Sequence, residues 1–344
     1  MNPGSSSHSL DTARLDSWLR SEVPGYLGPV MAEKFADGQS NPTYKLMAAS
    51  GPYVLRRKPP GTLLASAHAV DREFRVIGAL ASTGVPVPKV HALCADESII
   101  GGMFYVMEYV EGRVFWDPTL PGMAPKERTA VFDSMNATIA RLHSVDCAAV
   151  GLEGFGRPGN YMQRQCERWT KQYRASETEK IEAMDHLIDW LPGNIPPAGD
   201  MRIVHGDYRL DNLIVHKTEP KVVAVLDWEL STLGDPLVDF AYHVMVWRIA
   251  PELFRGLAGA PLRELGIPSE AEYLDAYCRR TGRPPIANWD VYIIYSMFRI
   301  AAILQGVLKR AIDGNASNKD AFDVGRRGRL IAEQGWGLAR GIGA

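Results

Sequence analysis

Asp207, Asn212 and Asp227 stand in the order His-Gly-Asp, four residues, Asn, an apolar run, then Leu-Asp-Trp-Glu. Phosphoryl transfer needs such a set. One carboxylate orients the attacking hydroxyl and takes its proton. A neutral oxygen and a second carboxylate hold magnesium, a hard cation that prefers oxygen. Asp207 suits the first task, Asn212 and Asp227 the second. Each residue alone reads as an ordinary turn or a strand-end cap; the ordered set is what points to chemistry.

The elements that must position these groups are short. Arg202–Val204, Leu213–Val215 and Val222–Leu226 are β-branched or apolar runs bounded by Asn, Gly and charges, and they predict strands. The three functional side chains then fall at strand ends, brought together by a hairpin. His205 is expected to brace the turn. Asp235 before Pro236 predicts a helix N-cap with Pro at the first helical position. Asp235 and Asp239 are therefore assigned to structure, or to bracing the turn, and not to metal.

The order of these motifs resembles the catalytic and metal-binding loops of the protein-kinase-like fold. Gly206 in place of Arg, and Asp227-Trp228-Glu229 in place of Asp-Phe-Gly, resemble the aminoglycoside phosphotransferase family. YVLRRKPPG, VHGDYRLDN and VLDWELSTLGDP are similar to the kinase-like domain found beside acyl-CoA dehydrogenase domains of the family member 10 and 11 type. The resemblance runs from about Val23 to at least Trp247.

It implies an α+β, bilobal protein-kinase-like fold: a small N-terminal lobe with an antiparallel sheet and a larger, mainly helical C-terminal lobe. Residues 1–10 are expected as a disordered leader, 11–106 as the nucleotide lobe, 107–113 as the hinge, and 114–344 as the helical lobe. It also implies roles. Ser40, in a turn with Gly38, Gln39, Asn41 and Pro42, would be a phosphate donor. Arg56 would grip the inner phosphates, with Lys58 on the same strand face as the alternative, and Glu73 would pair with Arg56. The backbone of Glu108 and Val110 would meet the adenine edge, with Met107 behind it. Arg209 would contact the γ-phosphate. ATP and Mg²⁺ are the implied cofactors, and a small-molecule hydroxyl, one candidate being CoA-linked, is the implied acceptor.

Apolar spacing supplies the remaining elements. A helix is expected over Asp11–Arg20, ended by Pro24 and Gly25. Another carries Leu63, Ala67, Val70, Phe74, Ile77 and Ala81, with Glu73 beside that stripe. Val131, Met135, Ile139 and Leu142 mark a third, with His143 as a structural residue at its end. Tyr161–Ala175 follows, with Arg164, Arg168 and Lys171 on one basic face. Segments at 273–280, 289–310 and near 329–338 complete the helical half. Val291–Leu308 is the most apolar stretch, but Ser296, Arg299 and Gln305 mark it as a buried helix and not a membrane span.

The 344 residues are 46% hydrophobic and 23% charged, with a formal net charge of -2. No basic surplus points to nucleic acid. Four cysteines without a Cys-x-x-Cys pair fit free thiols in a reducing, cytoplasmic setting better than zinc or disulfides. From Met245 to Ala344 there are 14 Lys and Arg against 10 Asp and Glu, which favours a neutral or anionic acceptor over a cationic one. A hydroxyacyl-CoA is the acceptor that the resemblance implies; an aminoglycoside is the second reading. A nucleotide-binding module without catalysis is a third, opposed by the joint presence of Asp207, Asn212 and Asp227.

Overall fold

The structure, a computed structural model, describes residues 10–35, 41–59, 69–316 and 320–344. The chain divides into two compact units. The first comprises residues 1–111 with 224–229, the second 112–223 with 230–344. Ser40, Leu63 and Ala67 lie outside the described residues.

In the first unit, helix α1 (Thr12–Glu22) precedes strands β1 (Met31–Lys34), β2 (Thr43–Ala48) and β3 (Gly51–Arg57). Helix α2 (Val70–Leu80) and strands β4 (Val90–Cys94) and β5 (Phe104–Glu108) follow. The strands form one antiparallel sheet in the order β1-β2-β3-β5-β4. Asp11 caps α1 by accepting the Arg14 N–H, and Leu15 and Leu19, one turn apart, bury against the sheet's Leu46, Leu55 and Phe104.

Helix α2 buries Val70, Glu73, Val76, Ile77 and Leu80. Glu73 thus lies on the buried face, not beside it as the apolar spacing predicts, and Ala81 is exposed. The register explains the exception. Arg56 on β3 stands opposite Tyr105 on β5, so both side chains point to one face of the sheet, and Glu73 meets both there.

The second unit is mainly helical: α3 (Pro125–His143), α4 (Tyr161–Ser176), α5 (Glu182–Asn194), then strands β6 (Arg202–Val204), β7 (Leu213–Val215), β8 (Val222–Val225) and β9 (Thr232–Gly234). After them come α6 (Pro236–Val244), α7 (Pro251–Phe254), α8 (Leu262–Leu265), α9 (Glu270–Thr281), α10 (Trp289–Ile312) and α11 (Ala321–Gly341). The last two residues of β8 count with the first unit, where the Val225 N–H donates to the Pro86 carbonyl at 2.9 Å.

The strand pairing differs from the single hairpin expected. β7 pairs with β8, whereas β6 pairs antiparallel with β9, a three-residue strand with no sequence signal of its own. Asp235 caps α6 by accepting the Leu237 N–H at 2.8 Å, with Pro236 at the first position.

Helix α10 is the one helix among the described residues long and apolar enough to cross a membrane, and 83% of its apolar window is buried inside the protein. Helix α11 begins eight residues before the expected segment. The glycines that argue against a helix there are what seat it. A Cβ at Gly325 would lie 2.6 Å from Leu308 Cβ, and one at Gly328 3.1 Å from the Ala301 carbonyl. Gly in a helix interior costs about 1 kcal/mol relative to Ala; close packing of α11 on α10 offsets it.

Candidate active site

The turn His205-Gly206-Asp207 follows β6 directly. Gly206 has φ 84°, and a Cβ there would stand 2.7 Å from the Leu230 carbonyl oxygen, so the position requires glycine. The Asp239 carboxylate accepts the His205 N–H and the Gly206 N–H, each at 2.8 Å. His143 Nε2 approaches the same carboxylate at 3.2 Å, and its Nδ1 meets the Tyr277 hydroxyl at 2.8 Å. A carboxylate only accepts, so His143 Nε2 is the donor. Burial pushes the Asp239 pKa up, but hydrogen bonds from His143 and the His205 N–H outweigh it and hold the carboxyl below its ordinary value. Asp239 therefore braces the turn as an anion, and His143 is structural.

Asp207 is held by its neighbours in the same unit. Asn212, at the end of a 3-10 turn (Leu210–Asn212), donates Nδ2 to the Asp207 carbonyl at 2.8 Å and to its Oδ2 at 3.0 Å. That orients the planar amide with Oδ1 away from Asp207. Arg209 Nε lies 3.0 Å from Asp207 Oδ1, and its Nη2 lies 3.3 Å from Asp211 Oδ2. Asp211 also takes Arg255 Nη1 at 2.7 Å. Beside this chain of charges is a cavity of about 40 Å³ lined by Trp116, Phe132, Met135, Trp247 and Phe254, with Arg209 and Arg255. His243 in its wall is bonded to the Tyr273 hydroxyl at 2.8 Å, and burial pushes its pKa down to about 4, so it is neutral at physiological pH.

In the first unit, Arg56 is the hub. Its Nε lies 2.9 Å from Glu73 Oε2, and its Nη2 lies 2.6 Å from Asp227 Oδ1 and 3.5 Å from Glu229 Oε2. Glu73 also accepts Asn41 Nδ2 at 2.8 Å and the Tyr105 hydroxyl at 3.1 Å. Burial pushes the Glu73 pKa up to about 7; Arg56 opposes this, while Asp227 and Glu229 add to it. Three carboxylates gather around one guanidinium, and the most buried of them has its pKa raised. Lys58, the alternative cation, makes no ion pair among the described residues; its N–H donates to the Met103 carbonyl at 2.9 Å. Asp227 has φ 64°, an uncommon backbone state for a residue with a side chain.

At the end of β5, the Glu108 N–H donates to the Lys89 carbonyl at 2.8 Å, and its carboxylate accepts the Lys89 N–H at 3.2 Å. The Glu108 N–H is thus already engaged within the protein. Val110 has neither backbone group engaged among the described residues.

Among the described residues no group of three or more His, Cys, Asp or Glu is placed to hold a metal ion. Asn212 in the second unit and Asp227 in the first each carry the kind of hard oxygen donor that magnesium prefers.

Each predicted site residue that is described joins one of two clusters or the β5 end: Arg56, Glu73 and Asp227 in the first unit, Asp207, Arg209 and Asn212 in the second. Sequence reasoning missed Tyr105 and Asn41 as partners of Glu73, and Arg299 of α10, whose Nη2 donates to the Gly206 carbonyl at 2.5 Å. The alternation of β5 places Tyr105 opposite Arg56 and could have found it; nothing local signals the other two.

A kinase-like antiparallel sheet, a helical second unit and a His-Gly-Asp turn braced from α6 are the features of a phosphotransferase. The family model of the phosphotransferase enzyme family matches residues 32–292, and the chain belongs to that family. It is 50% identical over 314 residues to mouse acyl-CoA dehydrogenase family member 10, covering 91% of this chain but 29% of that relative's length. A solved Ralstonia eutropha protein, described as a candidate aminoglycoside phosphotransferase, is 56% identical with a TM-score of 0.90, covering 97% of this chain and 99% of that one. A thermostable mutant of aminoglycoside phosphotransferase APH(4)-Ia, solved with ADP and hygromycin B, shares the fold at TM-score 0.62 and 16% identity, over 94% and 98% of the two chains.

Proposed function

We propose that this protein transfers the γ-phosphoryl group of ATP to a hydroxyl of a small molecule. The observation that carries the reading is the construction around Asp207. Its turn is fixed by the buried Asp239, and its carboxylate is oriented by Asn212 and Arg209, which is the preorganisation a proton-accepting group needs. In the reaction the acceptor oxygen bonds to the γ-phosphorus as the bond to the ADP oxygen breaks, and the hydroxyl proton passes to Asp207. Arg209, already beside Asp207, moves to the outer phosphate and spreads its charge.

Arg56, held by Glu73, grips the inner phosphates as a fork-shaped donor. Ser40 would add a donor from its turn. The Glu108 carbonyl and the Val110 N–H meet the donor and acceptor of the adenine edge. Asn212 and Asp227 would each offer an oxygen to Mg²⁺, which when bound would neutralise charge on the phosphates. In this reading residues 11–106 serve the nucleotide, 107–113 are the hinge, and 114–344 hold the acceptor.

The acceptor we assign is a hydroxyacyl-CoA. Arg209 and Arg255 stand beside Asp211, and residues 245–344 carry 14 Lys and Arg against 10 Asp and Glu, a balance that suits an anionic acceptor better than a polycation. The mouse relative's name supports an acyl-CoA setting. ADP release is measured with 4-hydroxyacyl-CoA and with kanamycin, for wild type and Asp207→Ala. Turnover with the acyl-CoA alone, lost in the variant, is expected; turnover with kanamycin alone overturns the acceptor, and full activity of the variant overturns the mechanism.

A further inference from the structure

The turn that presents Asp207 is gripped from two sides by opposite charges. Asp239 takes its N–H groups at His205 and Gly206. Arg299 takes its carbonyl at Gly206. That carbonyl belongs to the peptide joining Gly206 to Asp207, so the guanidinium acts on the plane from which the Asp207 side chain departs.

Arg299 lies in the middle of the apolar helix α10 and is 5% exposed. No carboxylate pairs with it among the described residues. Its neighbours are ring faces, Tyr242 at 4.1 Å and Trp169 at 5.4 Å from the guanidinium carbon. A buried guanidinium without an ion-pair partner is costly, and an apolar side chain would pack α10 without that cost. Burial lowers the Arg299 pKa, and Tyr242, Tyr295, Tyr161 and Asp207 together raise it above the ordinary value. The three phenols are themselves pushed up by burial. Asp207 is the carboxylate among those groups.

We propose that Arg299 is a positioning residue for phosphoryl transfer: it fixes the Gly206–Asp207 peptide and with it the direction in which the Asp207 side chain leaves the turn. The inference rests on the reading of Asp207 as the residue that takes the hydroxyl proton. A residue that only ties α10 to the turn would affect stability and nothing else; one that acts through Asp207 is coupled to it.

The experiment is a double-mutant cycle on basal MgATP hydrolysis, with water as acceptor, in wild type, R299M, D207N and R299M/D207N. R299M is expected to lower kcat about 100-fold with the KM for MgATP within about twofold, and R299M/D207N to be no slower than D207N. R299K should recover part of the rate, because an ammonium can still donate to the Gly206 carbonyl.

Amide hydrogen exchange at residues 205–208, without nucleotide, gives a readout independent of turnover. It is expected about tenfold faster in R299M and unchanged in D207N. Losses in R299M and D207N that multiply in the double variant, or unchanged exchange in R299M, overturn the inference. D207N with the wild-type rate instead overturns the reading on which it rests.

Discussion

Arg56 and Asp227, 171 positions apart in sequence, are joined at 2.6 Å, and the same guanidinium reaches Glu73 through its Nε at 2.9 Å. The two contacts use different edges of one planar group, which an ammonium cannot reproduce. Arg56→Lys is therefore expected to keep the charge and lose the bridge. The KM for MgATP should rise about tenfold or more, by analogy with a charge-assisted bond worth about 1.5–3 kcal/mol. Steady-state kinetics with varied MgATP checks this; an unchanged KM would detach Arg56 from the phosphates.

Glu73 gives a pH signature. Its folded-state pKa is raised to about 7 from the ordinary 4.5, so the stability linked to its proton is fully present below about 4.5 and is lost as pH rises through 7. Glu73→Gln mimics the protonated form at every pH. Relative to wild type, the variant should gain in Tm as pH goes from 5 to 8. A Tm difference that stays constant over that range would show that Glu73 is ionised throughout.

At Gly206 two penalties coincide. An alanine there must hold φ 84° and place its Cβ 2.7 Å from the Leu230 carbonyl. The left-handed backbone costs about 1–2 kcal/mol and the overlap about 1–3 kcal/mol more. Gly206→Ala is expected to destabilise the second unit by about 2–5 kcal/mol, measured by urea unfolding, and to lose turnover in whatever fraction stays folded.

Asp239 carries no chemistry, yet its loss should cost as much as a catalytic group. Asp239→Asn replaces one acceptor oxygen by an NH₂ that faces an N–H donor, and it removes the partner of His143. Breaking a buried charged network of this kind costs about 3–5 kcal/mol. A fall in Tm with an accompanying loss of kcat is the expected outcome; a variant with wild-type kcat would mean that Asp207 needs no brace from α6.

Much of this was legible in the residues alone. The spacing of Asp207 and Asn212 fixes a local contact, five residues apart, that the structure shows as two hydrogen bonds. The Asp235-Pro236 cap and most helices follow from local chemistry in the same way. What escaped is non-local. β9 is too short to carry a pattern. Glu73 sits at helical spacing on the buried face, but a charge there makes sense only through its partners Arg56, Tyr105 and Asn41, which come from three other segments. In the sequence, Arg299 marked an apolar stretch as a buried helix; which backbone oxygen it seeks is fixed only when α10 docks.

The glycines of α11 extend that point. Gly328 faces the Ala301 carbonyl and Gly335 faces Met297, the two positions that bracket Arg299 on α10. Where the Arg299 side chain begins is thus set by residues that own no side chain at all. A methyl group at either site would press on the root of a lever whose tip rests on the Gly206–Asp207 peptide. Activity in this protein should then be sensitive to bulk in its last helix, at positions remote in sequence from every reacting atom.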